Sequence, residues 1–417
     1  MLWLPLALAG WEHCLEFVDL IFILQTAIVD GVVFSRFFAC VLLYGLTSCL
    51  EPFTYHKSSV LNRIIAALII PNILFCVVLN TELHELKYAF FVIHGLLRTD
   101  GFAQLMLQQE PPNRMYTNQL VLQVIRIYGY VAAIMVVFIF WAHPIFVQPL
   151  MIALHGIPAL VGVIMLFGRR WILNADPTYL SMKIFSAGPE LKPTELMMSA
   201  FGLTEATFAV YYGLTVNFIV VVVGEDPLLL IICMCIGALG TPIVAVVAVS
   251  RPQHKHTHDK WPTVLTGNVI LLLAFSCSQV FSQIALLFTV DTQARVLGTA
   301  FAISLASIFT FLSAPFVIAG TMPFLRSIFK AEKETRQLDF DRAALPLMIE
   351  NIKFQRFGQL VGCVIAAISY PTYYISPYFA FFAYFGWALI SYEAQHKRAT
   401  QTIAQASFIQ QQQFTID

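Results

Sequence analysis

Positions 145–168 read IFVQPLMIALHGIPALVGVIMLFG, with no Asp, Glu, Lys or Arg among them. As an α-helix rising 1.5 Å per residue the run is about 36 Å long, enough to cross a hydrocarbon core of about 30 Å. Five further stretches, 120–141, 197–223, 227–250, 263–290 and 296–320, have the same character; Arg126 and Glu205 are their only residues of those four types. The composition agrees. Of 417 residues 59% are apolar and 12% are charged, and the mean hydropathy is +0.76. An average soluble domain carries about twice that charged fraction. The 24 basic and 24 acidic residues cancel, which excludes the basic excess of a nucleic-acid binder. An ordinary soluble enzyme, a disordered chain and a secreted disulfide scaffold are excluded by the same arithmetic. The chain reads as an all-α, polytopic transmembrane helical bundle, with the lipid bilayer as its first partner.

Working outward, 357–392 also lacks Asp, Glu, Lys and Arg but is too long for one span, and Pro371 and Pro377 break it, so two spans are expected. Upstream, 64–80 makes a short span, 14–50 a hairpin turning at Asp30-Gly31, and 86–98 a further short span flanked by Glu85 and Arg98. The total is about twelve spans, with ten and eleven as alternatives. With a cytosolic N-terminus, the loops 51–63, 98–119, 169–196, 251–262 and 321–356 and the tail collect 20 Lys and Arg, against Lys87 and Arg295 on the other side. That asymmetry places both termini in the cytosol. The expected organisation is an N-terminal membrane half, 1–168, an inner connecting loop, 169–196, a C-terminal membrane half, 197–392, with the long inner loop 321–356, and a cytosolic tail, 393–417.

In number and order of spans this layout resembles the major facilitator superfamily. The resemblance implies a six-plus-six bundle of tight hairpins with a cavity between the halves. The glycine-and-arginine signature of that superfamily would fall near 51–63, where this chain reads EPFTYHKSSVLNR and departs from it.

Catalytic patterns are missing. The sequence has no Gly-rich phosphate loop, no HExxH and no GxSxG. No cofactor is expected: histidines are not paired within the spans as haem ligation would need. The eight cysteines form no CxxC, and seven lie in apolar runs, where buried or lipid-facing thiols are expected. MLWLPLALAG at the N-terminus lacks a basic n-region and is not read as a removable signal peptide, and no Asn-x-Ser/Thr sequon marks a luminal loop. In RPQHKHTHDKWP, His254, His256 and His258 alternate, but Lys255 and Lys260 argue against a metal site. The inner loop 321–356 contains an amphipathic stretch around Leu345, Leu347, Met348 and Ile352, suited to the membrane interface or to a solvated connector.

Ionisable residues inside spans mark functional sites. Arg126 and Glu205 fall at similar depth, one in each half, where a salt bridge across a cavity can form. The competing readings are a snorkelling Arg126 and a protonated or locally bonded Glu205. His155 lies mid-span beside Gly156 and Pro158 and is a substrate or proton site, or else a hydrogen-bonded core histidine. Pro71-Asn72 and Gly240-Thr241-Pro242 are similar helix interruptions. Tyr128, Tyr212 and Asn217 add polar contacts for a small-molecule substrate. The even span count, the two halves and the scattered buried charges favour a secondary transporter of a small solute, proton-coupled through Glu205. A non-catalytic integral subunit of a larger membrane complex fits the lack of any signature. An enzyme acting on a lipid or lipid-linked substrate would need a polar cluster at one membrane face, for which RRWILNADPTYLSMK in 169–196 is the candidate.

Overall fold

The computed structural model describes residues 3–57, 59–81, 85–99 and 143–175, with individual helical positions inside 121–139 and 352–367. All regular structure among them is helical. Helix α1 spans Trp3–Val29. It starts well before residue 14, where the sequence suggested the first hairpin arm; Pro5 falls in the first turn, where its missing N–H has no helical acceptor to lose and the helix accommodates it. The hairpin turn falls at Asp30-Gly31 as expected. Gly31 has φ +69°, a left-handed conformation that glycine adopts without steric cost. Arg36 pairs with Asp30 at this turn.

A π-helical segment, Val33–Phe38, leads into α2, Ala39–Leu50, and a 3₁₀ segment, Glu51–Lys57, closes it. Ser59 caps α3, Val60–Leu79, its hydroxyl accepting from the Asn62 amide. Helix α4 covers Glu85–Leu96. It is about 18 Å long, so this helix alone does not meet the expectation of a span over 86–98. After the 3₁₀ turn Pro144–Phe146 come α5, Val147–Phe167, and the short α6, Arg169–Ala175.

Helix α3 packs on α5 and α2 on α4. The buried positions of α5, Met151, His155, Pro158, Ala159 and Gly162, recur at helical spacing and form one stripe. Its outer face carries Ile157, Leu160, Val161 and Ile164, all exposed. Ile70, Ile73 and Val77 do the same on α3. An outer face this apolar suits lipid, not water. Three helical stretches, Val33–Tyr55, Val60–Leu79 and Pro144–Phe167, are long and apolar enough to cross a membrane. Helix α1 is long enough too, but holds three carboxyl groups, and it is buried along most of its length. Close backbone approaches fix its neighbours: Gly10 faces Ile125 and Gly129, while Gly45 on α2 meets Leu360 and Cys363.

Candidate functional site

Glu12, Glu16 and Asp19 are spaced i, i+4, i+7 on α1, which puts them on one face. That face points into the protein: the three side chains are 7%, 2% and 0% exposed. An ionised carboxylate there must find a cation or several donors, since an isolated charge in a low-dielectric interior is held at great cost. Arg98, just past α4, is the cation for the first two. Its Nε lies 3.4 Å from Glu12 Oε1 and its Nη2 3.4 Å from Glu16 Oε2. Its guanidinium sits 5.1 Å above the Tyr44 ring centroid, an added cation–π contact. The Thr99 amide donates to Glu12 Oε2 at 2.6 Å, and the Thr99 hydroxyl donates to the same oxygen. Arg98, which from sequence reads as an inner-loop charge, is 2% exposed.

Asp19 meets a different partner. His155 Nε2 is 2.9 Å from Asp19 Oδ1, and His155 Nδ1 is 2.8 Å from Asn72 Oδ1. Two prolines prepare this contact. Pro71 has no N–H to give the Ala67 carbonyl, and the Asn72 amide fills in there, donating to Leu68 O at 2.9 Å and lying 3.5 Å from Ala67 O. Pro158 and Gly156 flank His155 on α5, as the sequence reading noted. The imidazole stacks on Phe75, with ring centroids 4.0 Å apart and planes 23° apart. Phe90 meets its edge at 6.2 Å.

A second buried group lies at the far end of α2. Glu51 Oε2 accepts from Arg356 Nε at 2.7 Å and Glu51 Oε1 accepts from the Tyr55 hydroxyl at 2.5 Å. Arg63 donates to Leu96 O at 2.6 Å and to the Thr54 hydroxyl, and covers the Tyr55 ring at 5.1 Å. Glu51, Arg63 and Arg356 are all buried, so Arg63 and Arg356 are, like Arg98, structural partners and not loop charges. Tyr55→Phe removes a hydrogen bond to a buried charged group. It should lower stability by about 1.5–3 kcal/mol, read as a fall in melting temperature of the purified protein. An unchanged melting temperature would show that the Tyr55 hydroxyl contributes nothing to holding Glu51.

Of the residues singled out from sequence, His155 is buried at the centre of this arrangement and Tyr128 is 45% exposed. Arg126, Glu205, Tyr212 and Asn217 lie outside the described residues, as does the loop holding His254, His256 and His258. Glu12, Glu16 and Asp19 were missed. The signal that finds them is their helical spacing inside an otherwise apolar run.

A helical bundle with lipid-suited outer faces and span-length apolar helices has the architecture of an integral membrane protein. No family model and no curated protein matches the chain. Among solved structures, the human organic anion transporter MFSD10 (TETRAN) is similar in fold. Its TM-score is 0.55 at 10% identity, over 94% of this chain and 98% of that one. The chain therefore shares the fold of that protein.

Proposed function

We propose that the protein is a multi-pass secondary transporter of a small solute, coupled to protons. The observation that carries this reading is the fold likeness across 94% of the chain, which matches the whole of a carrier and not a fragment of one. The carboxylates buried in α1 support it, because ionisable groups inside a membrane bundle line ion and substrate paths. About twelve spans in two halves, 1–168 and 197–392, with both termini cytosolic, complete the reading. Arg126, His155, Glu205, Tyr128, Tyr212 and Asn217 are its proposed solute and ion contacts. The organic anions in the neighbour's name make small organic anions the first solutes to try.

Purified protein in proteoliposomes under an imposed pH gradient is expected to accumulate a member of a panel of organic anions, organic cations and sugars. Glu205→Gln should keep solute exchange and lose pH-driven accumulation, since an amide cannot carry the proton. Folded protein that moves no solute in the panel would overturn the carrier reading. Unchanged accumulation in Glu205→Gln would remove that residue's coupling role.

A further inference from the structure

We infer that Asp19 and His155 together form a proton-binding site that holds one exchangeable proton and opens onto a hydrated cavity reaching Glu12. The inference deepens the carrier reading by giving the proton in transit a seat in the N-terminal half besides Glu205, and rests on that reading only for the proton's use.

Two acceptors face the His155 ring. Asn72 is oriented by its own amide, which donates to Leu68 O at 2.9 Å, so its oxygen faces His155 Nδ1. Asp19 offers a carboxyl oxygen to His155 Nε2. A neutral imidazole has one N–H and one lone pair. It satisfies one of these oxygens and sets a lone pair against the other at 2.8 or 2.9 Å. One more proton removes the conflict. It sits on Nε2, giving imidazolium and carboxylate, or on Asp19 Oδ1, giving imidazole and carboxylic acid. In both forms Nδ1–H donates to Asn72, and the pair is neutral overall. Passing between them breaks an N–H bond and forms an O–H bond across a 2.9 Å contact. On release the proton goes to water, and the pair is left as carboxylate and neutral imidazole. The unloaded pair then carries a negative charge at side chains 0% and 1% exposed. That charge is tolerated only while water or a cation reaches it.

The surroundings fit. The Phe75 face lies over the imidazole and holds the ring plane in place. Asp19 Oδ2 has no hydrogen-bond partner among the described residues. Of the other titratable groups, Cys14 on α1 faces Asp19, His94 on α4 faces both members of the pair, and Glu12 lines the same cavity as His155; Glu16 and Arg98 lie beyond, around His94. Arg98 is engaged by Glu12 and Glu16, which leaves His155 as the hydrogen-bonded base for Asp19.

A cavity of about 40 Å³ is lined by His155 and Asn72 together with Glu12, Thr99, Trp11 and His94. Each water needs about 10–15 Å³ of such space, so the cavity takes about three or four waters and no larger solute. Trp11 Nε1 and His94 Nδ1 are buried and have no protein partner among the described residues, which is the situation bound water resolves.

The test uses the full chain in nanodiscs with ¹⁵N-labelled histidine, the His155 signal being the one lost in His155→Gln. Infrared spectra of the same samples report a buried carboxylic acid, assigned by its loss in Asp19→Asn. At neutral pH the expected result is either a doubly protonated His155 ring or a neutral ring with an Asp19 carboxylic acid band. In Asp19→Asn the new amide can donate to Nε2, so the fold should hold and His155 should be neutral, with loss of the extra proton. Acid–base titration should then count one proton fewer than in the parent. A neutral His155 beside an ionised Asp19 throughout the titration would overturn the site, as would an unchanged proton count in folded Asp19→Asn. If Asp19→Asn does not fold, the proton count of His155→Gln decides in the same way. None of these readouts needs transport, so the carrier reading can fail in liposomes while the proton site stands. Conversely, pH-driven uptake that survives in Asp19→Asn would overturn the assignment of the coupled proton to this pair and leave the carrier reading intact.

Discussion

Replacing Arg98 with methionine should destabilise the protein by about 3–5 kcal/mol, the usual result of removing one partner from a buried ion pair. Methionine keeps much of the volume and none of the charge, so packing against Tyr44 is largely retained while Glu12 and Glu16 lose a shared cation. The expected outcome is a large fall in melting temperature in detergent and poor recovery from membranes. Adding Glu12→Gln and Glu16→Gln to Arg98→Met should restore part of the loss, because the carboxylates left without that cation are then gone. A triple variant as unstable as the sum of its parts would mean that the three residues do not act as a unit.

Gly95→Leu should be comparably damaging, through packing instead of charge. A Cβ at Gly95 would lie 2.8 Å from the Tyr44 carbonyl oxygen and 3.1 Å from the Ser48 nitrogen, besides striking the Thr47 hydroxyl. Two of these are backbone atoms of α2 and cannot swing aside. Overpacking of this kind typically costs about 1–3 kcal/mol, and a leucine in place of glycine should reach or exceed the top of that range. Displacing α2 would also move Tyr44, whose ring covers Arg98. Gly156→Ala is the matching control. Nothing lies within 4 Å of a Cβ there, and the higher helix propensity of alanine should leave the melting temperature equal or slightly raised. A Gly95→Leu protein as stable as the Gly156→Ala control would show that α2 and α4 do not meet as described.

The parts of this protein that follow from local chemistry were legible in its sequence. The turn at Asp30-Gly31 is marked by a glycine that takes a left-handed conformation. The interruption at Pro71-Asn72 and the histidine at 155 were recognisable as helix irregularities, and they meet in space. The carboxylates of α1 were not legible by hydropathy, because averaging along a helix hides which face a residue occupies. Reading 1–29 at a period of 3.6 would have aligned Glu12, Glu16 and Asp19. The roles of Arg63, Arg98 and Arg356 were invisible for another reason. Near span ends they read as solvated charges, and what identifies them is a carboxylate or carbonyl far away in the chain.

The contact between Glu51 and Arg356 joins residues 305 apart. At about 5–20 residues per second, a ribosome takes about 15–60 s to cover that distance. For that interval a nascent chain already threaded into the bilayer presents a carboxylate whose guanidinium has not yet been synthesised. Glu51 must wait in water, at the bilayer surface, or against an insertion factor. Any truncation upstream of residue 356 therefore leaves Glu51 without its guanidinium partner, so the early acidic residue is matched only when the chain is nearly complete.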